Sequence, residues 1–271
     1  MLVDSHCHLD RLDLTPFEGD FSRFMHSARE AGVAHMLCVS IDLEAYPAML
    51  ALVEGYPEIS VSVGVHPNEA DGHEPSLQEL VALATHPRNV AIGETGLDYF
   101  RSEGDLEWQR ARFRTHIAAA KASGKPLIIH TREAREDTLR IMREEDAAAA
   151  GGVMHCFTED WDTARQAMEL GFYISFSGIV TFKTARDLQE VARRVPSDRL
   201  LIETDSPYLA PAPHRGSPNT PIFVHHVAEF VAGLRGTSAQ AIAELTRENF
   251  YALFKPAAAI GLGRRSRSMA T

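Results

Sequence analysis

Gly152-Val-Met-His155 opens a stretch that continues Cys-Phe-Thr-Glu-Asp160-Trp-Asp-Thr-Ala164-Arg-Gln-Ala-Met168-Glu-Leu-Gly171 and closes on Phe172-Tyr-Ile-Ser-Phe-Ser177. Its two ends are short apolar runs that read as strands, and its middle reads as one helix. Asp160 can cap the helix start, Trp161, Ala164 and Met168 give it a core face at helical spacing, and Gly171 stands where a glycine ends a helix. Strand, helix and strand in so short a span form a βαβ unit with parallel strands.

The same rhythm extends in both directions. Strand candidates fall at residues 1–6, 34–41, 59–66, 90–95, 126–130, 152–155, 172–177 and 199–204. In residues 105–123, Leu106, Phe113, Ile117 and Ala120 share one helical face. After the eighth strand, Asn219-Thr220-Pro221 reads as a capped helix start, with Val224, Val227, Val231 and Leu234 as its buried stripe, and a last helix runs from about residue 238 to 254. Eight strands alternating with helices in 271 residues, 45% of them hydrophobic, predict a single-domain α/β chain: a (β/α)8 TIM barrel with extra C-terminal helices. The domain is expected over 1–255, and 256–271, with its Gly263-Arg-Arg-Ser-Arg-Ser268 run, as a flexible basic tail.

A net charge of −10 excludes coating long duplex nucleic acid, which needs a basic face, but not gripping one strand end. Cys7, Cys38 and Cys156 form no CxxC pair, which suits a reducing compartment. Asp4 and two histidines in the first eight residues do not read as a signal peptide, and no apolar run approaches the roughly 18 residues of a membrane span. The expectation is a cytoplasmic protein with no membrane partner.

Function in such a barrel gathers at the C-terminal ends of the strands. There the sequence places His6-Cys7-His8, His66-Pro67, Glu94-Thr95-Gly96, His130, His155 and Glu203-Thr204-Asp205. Side chains at i and i+2 of a strand point the same way, so His6 and His8 face the barrel axis together while Cys7 points outward. Taken singly, each has an ordinary structural reading: a hydrogen-bonded core histidine, a turn-capping aspartate, a structural ion pair. Together, His6, His8, Glu94, His130, His155 and Asp205 offer too many ligands for one tetrahedral ion and suit two divalent ions sharing a carboxylate.

Asp4-Ser-His-Cys-His-Leu-Asp10, Gly64-Val-His-Pro67, Gly93-Glu-Thr-Gly-Leu-Asp-Tyr99, His130-Thr-Arg132, His155-Cys-Phe157 and Glu203-Thr-Asp-Ser-Pro-Tyr208 resemble the signatures of the TatD family of metal-dependent deoxyribonucleases. Pro213-His-Arg-Gly216 with Asn219 and Pro221 resembles that family's next segment. The chain departs from many members at Glu159-Asp160, where a glycine is common, and at Asn249–Phe254, where an arginine is. The resemblance implies a binuclear site in which His6, His8 and Asp205 hold one ion, His130 and His155 the other, and Glu94 bridges them. It also implies 3′→5′ exonuclease activity on DNA aided by Mg2+ or Mn2+, a role in DNA repair or turnover, and RNA as a further substrate.

Charge counting agrees with a phosphodiester. Two divalent ions bring four positive charges, and Glu94, Asp205 and a bridging hydroxide leave an excess that welcomes an anion. Asp205 is the natural acceptor of the attacking water's proton. Arg132 can fork onto phosphate, Lys183 can add a point charge, and His66 can hydrogen-bond the same oxygens. Glu203 can orient a water or a ligand, and Tyr208 and Phe157 can stack a base. The donor set suits Zn2+ or Mn2+, with Mg2+ as the third choice. The rival readings are an amidohydrolase cutting a C–N or C–O bond in a small molecule and a non-catalytic metal- or nucleic-acid-binding module. Glu94 on strand four, where many amidohydrolases carry a carboxylated lysine, favours the nuclease, as do Arg132 and Lys183.

Overall fold

Eight strands form close to the expected runs: β1 Leu2–Cys7, β2 Val33–Cys38, β3 Ile59–Val63, β4 Asn89–Asp98, β5 Leu127–Arg132, β6 Gly152–Met154, β7 Phe172–Phe176 and β8 Leu200–Ile202. The structure, a computed structural model, describes residues 1–262, with side chains through residue 259. The strands make one sheet in the order β1 to β8, parallel wherever the register is assigned, and a parallel bridge between Cys7 and Ser206 joins the first strand to the segment after the last. This is the (β/α)8 barrel fold. The helices are α1 Phe21–Glu30, α2 Tyr46–Val53, α3 Leu77–Ala84, α4 Glu107–Ser123, α5 Arg135–Glu144, α6 Trp161–Glu169, α7 Arg186–Arg194, α8 Val224–Arg235, α9 Ala239–Leu253 and α10 Lys255–Leu262.

The chain divides into two compact units. One comprises Met1–Met36 and Val153–Phe250; the other comprises Leu37–Gly152 and the chain from Tyr251 onward. In the first, β7 and β8 are buried along nearly their whole length, and α6 starts on the Asp160 carboxylate, which accepts the Thr163 N–H at 2.8 Å. Continuous burial is what a parallel sheet covered on both faces demands. The α6 core face is Thr163, Ala164 and Ala167, not the Trp161, Ala164 and Met168 expected. The stripe is turned by a residue, and Trp161 instead lies under the Arg194 guanidinium at 4.0 Å. In α8 the buried stripe is Val224, Val227, Ala228, Val231 and Ala232, with Leu234 only half-buried. Asn249 on α9 donates to the carbonyls of Ser197 and Leu200, tying the helix to the start of β8.

In the second unit α4 buries Phe113, Ile117 and Ala120 on its inner face, with Leu106 buried just before it. Gly64 and Gly93 let β3 and β4 approach closely, since a Cβ on Gly64 would stand 2.6 Å from Gly93. Gly96, at φ +134°, passes the His130 carbonyl, where a Cβ would stand at 2.0 Å. The chain is helical over Lys255–Leu262, with Ala257 fully buried. The basic run from Gly263 lies outside the described residues. Among the described residues no helix is long and apolar enough to cross a membrane.

Candidate metal centre

In the first unit three strand ends bring His6, His8, His155, Glu203 and Asp205 together. His6 lies within β1, His8 follows it, His155 follows β6, and the two carboxylates follow β8. Asp205 Oδ1 faces His8 Nε2 at 3.5 Å and His6 Nε2 at 3.7 Å. The rings of His6 and His155 stack at 3.9 Å. Burial alone would raise the Asp205 carboxyl, but the His8 hydrogen bond and the charges of His6 and His155 outweigh it and hold it below the usual carboxylate range.

Glu203 stands behind this group. It is fully buried, and its Oε1 accepts the Cys156 N–H at 2.8 Å and lies 3.2 Å from His155 Nδ1. With the proton at Nδ1 donated to Glu203, His155 keeps its Nε2 lone pair for a ligand. The hydrogen bonds set Glu203 against His155 and the backbone beside it. Asp4, on the same strand face as His6, was not singled out by sequence. Its carboxylate takes the N–H and O–H of Thr204, at 2.9 and 2.5 Å, and joins β1 to the β8 end. Burial pushes Asp4 up to about 8 despite those bonds.

In the second unit Glu94 Oε1 lies 3.3 Å from His66 Nε2 and 3.2 Å from His130 Nδ1. Asp98, also missed, orders this group. Its Oδ2 lies 3.2 Å from His130 Nε2 and accepts the Asn68 side-chain N–H at 2.9 Å, while Oδ1 accepts the N–H groups of Phe100 and Arg101. Burial would raise Asp98, and these donors, led by His130, hold it well below the carboxylate range. The signal was available: Asp98 stands an even number of residues beyond Glu94, and a strand presents even spacings on one face. His66 Nδ1 accepts the Asn68 backbone N–H at 3.0 Å, which places a neutral ring's proton on Nε2 and makes His66 a donor toward Glu94.

The donors present fit divalent metal ions. Glu203 Oε2 is buried without a hydrogen-bond partner. His130, with its proton on Nε2, aims a lone pair at the Glu94 carboxylate, an arrangement that a shared cation relieves. Three sets each hold donor atoms that lie within 4.8 Å of one another inside the set: His6, His8 and Asp205; His6, His155 and Glu203; and, in the second unit, His66, Glu94 and His130. Imidazole with carboxylate is a transition-metal donor set.

The substrate-side expectations divide. Tyr208 is 49% exposed, its ring 6.0 Å from that of His8. Phe157 is 1% exposed and packs edge-on against Phe176, so it is a core residue and stacks no base. Lys183 is exposed just after the turn Gly178–Thr181. The Arg132 guanidinium lies 3.9 Å over the ring of Phe100, itself 54% exposed and unmarked by sequence.

The family described as TatD related DNase matches residues 3–255. A protein of Escherichia coli K12 named uncharacterized metal-dependent hydrolase YcfH is 48% identical over 254 residues, covering 93% of this chain and 95% of its own. The 3′-5′ ssDNA/RNA exonuclease TatD of Edwardsiella piscicida is 34% identical, covering 88% and 95%. The crystal structure of YJJV, a TatD homolog from Escherichia coli K12, superposes with a TM-score of 0.85 at 31% identity, covering 94% of this chain and 98% of that one.

Proposed function

The chain belongs to the TatD related DNase family of metal-dependent hydrolases, and on that footing we propose that it is a phosphodiesterase trimming single-stranded or frayed DNA from the 3′ end, with RNA as a second substrate. The observation that carries the nucleic-acid reading stands two residues beyond His130. There the Arg132 guanidinium rests on exposed Phe100, a flat plate for a base beside a cation for its phosphate. The name of the Edwardsiella piscicida relative supports the same reading.

His6, His8, His155 and Asp205 would hold cation in the first unit, and Glu94 and His130 in the second. When bound, divalent cations supply a water of lowered pKa and positive charge for the phosphoryl oxygens. Asp205, kept ionised, accepts a proton at its carboxylate. Glu203 and Asp98 fix the ring tautomers of His155 and His130. His66 donates from Nε2, Arg132 and Lys183 bind phosphate oxygens, and Tyr208 takes a base face.

The test is end-labelled single-stranded DNA and RNA with added Mg2+, Mn2+ or Zn2+, run beside a dipeptide and lactone panel. Mononucleotides released from the 3′ end support the reading. Turnover confined to the small-molecule panel replaces it with an amidohydrolase.

A further inference from the structure

Residues 214–229 carry histidines that the site above does not use. His225 and His226 lie in the first turn of α8, and Glu229 follows one turn on. His225 and Glu229 are four residues apart and His226 and Glu229 three, so all three project from neighbouring positions of one helix surface. Each offers a ligand atom, and these atoms lie within 4.8 Å of one another.

The hydrogen bonds around the rings leave each imidazole a nitrogen lone pair. His225 Nδ1 donates to the Ile222 carbonyl at 2.7 Å, so its Nε2 carries the lone pair. His226 Nε2 lies 2.9 Å from His214 Nε2, a contact that requires one proton between two nitrogens. Donated from His226, that proton leaves the His226 Nδ1 lone pair beside Glu229 Oε2, at 3.4 Å. His214 is itself held flat against Phe223, with ring centroids 4.0 Å apart. Metal-binding histidines are characteristically held in this way, one nitrogen committed to a backbone or side-chain partner and the other left for the ion.

We propose that His225, His226 and Glu229 form an accessory site for a transition-metal ion of the zinc, nickel or copper class, with His214 as the residue that positions His226. Two ligands on one zinc ion stand roughly 3.3 Å apart, from bond lengths near 2.0–2.1 Å. Exposed Glu229 has the freedom to close on the rings. The ion secures the His226 tautomer that donates to His214, and so ties the chain at His214 to α8.

The test uses the untagged full-length protein with its other metal sites filled. Titrated with Zn2+ against a chromophoric chelator, it should take up one further equivalent, and it should be retained on immobilised Ni2+. His225→Ala with His226→Ala should abolish both, and Glu229→Gln should weaken Zn2+ uptake by about tenfold. His214→Ala, which removes no ligand, should weaken it by about tenfold as well. His73→Ala, altering the separate exposed His73–Glu79 pair, should change neither. Equal Zn2+ uptake and Ni2+ retention by the wild type and the double variant would overturn the proposal. Hydrolytic turnover in the double variant is expected to be unchanged, which separates this test from that of the nuclease reading.

Discussion

His130 Nε2 lies 3.2 Å from Asp98 Oδ2, and this contact decides which ring nitrogen faces Glu94. With the proton committed to Asp98, Nδ1 is left to bind a cation. Asp98→Ala should therefore lower metal affinity by roughly ten- to a hundredfold, the usual cost of losing such a partner. Excess metal should restore most of kcat, and Asp98→Asn should fall in between. A metal titration of activity reads this directly; unchanged half-saturation in Asp98→Ala would remove Asp98 from the site.

Glu94 is 2% exposed and its Oε1 meets two imidazoles. Glu94→Ala should lose bound metal and nearly all turnover while keeping its far-UV spectrum and cooperative unfolding. Metal content by elemental analysis, measured beside kcat, checks this. A variant that keeps its full metal content and more than a tenth of the rate, a loss below about 1.4 kcal/mol, counts against Glu94 as a ligand.

The strand ends were legible in sequence because parity holds inside a strand, and it failed where strands stop. β6 ends at Met154, and Cys156 takes φ +42°, so Phe157 no longer shares the face of His155 and turns into the core. β8 likewise ends at Ile202, and Asp205 sits at φ +57°. Glu203 and Asp205, two residues apart, accordingly meet different partners: Glu203 meets His155, and Asp205 meets His6 and His8. A motif names such residues without saying which way they turn. Partners that work by hydrogen bond, such as Asp98 to His130 or Asn68 to His66, depend on loop geometry that periodicity does not carry.

His116 links the site to folding. It is fully buried in α4, with Nδ1 donating to the Arg112 carbonyl at 2.9 Å and Nε2 accepting the Val65 N–H at 3.0 Å, beside His66. Burial holds its pKa down at about 4, against 6.5 ordinarily. A histidine with a depressed folded pKa contributes stability that is complete above 6.5 and is lost as pH falls toward 4. The loss across that window is about 3 kcal/mol. Denaturant unfolding from pH 7 to 4.5 should show the decline, and His116→Gln should be less stable at pH 7 with a flatter pH dependence. An equal slope in both proteins would place the acid sensitivity elsewhere.

Arg132 and Lys183 are assigned to phosphate and not to metal. Arg132→Ala and Lys183→Ala should each lower nuclease kcat/KM by about tenfold, near 1.4 kcal/mol, with metal content unchanged. Phe100→Ala should weaken substrate binding as well, because it removes both the stacking plate and the support under Arg132. Loss of metal in either cation variant would make its role structural.

The size of the footprint follows from charge. A protein of net charge −10 repels a polyanion except where local cations gather. Arg132 and Lys183, with bound metal ions, neutralise only a few phosphates, so the substrate should enter by a single-stranded 3′ end and leave as mononucleotides bearing a 5′-phosphate. Each phosphate neutralised on a single strand adds about −0.7 to the log–log dependence of affinity on salt, so the slope should be about −2 to −3. Affinity for a short single strand, measured in Ca2+ or another ion that does not support turnover across a salt series, gives that slope. Product analysis on 3′-labelled and 3′-blocked strands gives the polarity, and a 3′ block should stop release. A slope steeper than about −6, or unhindered cutting of a circular single strand, would mean an extended groove and an endonuclease. That result would remove the end-binding picture and leave the metal ligands to be judged by the Glu94 and Asp98 variants.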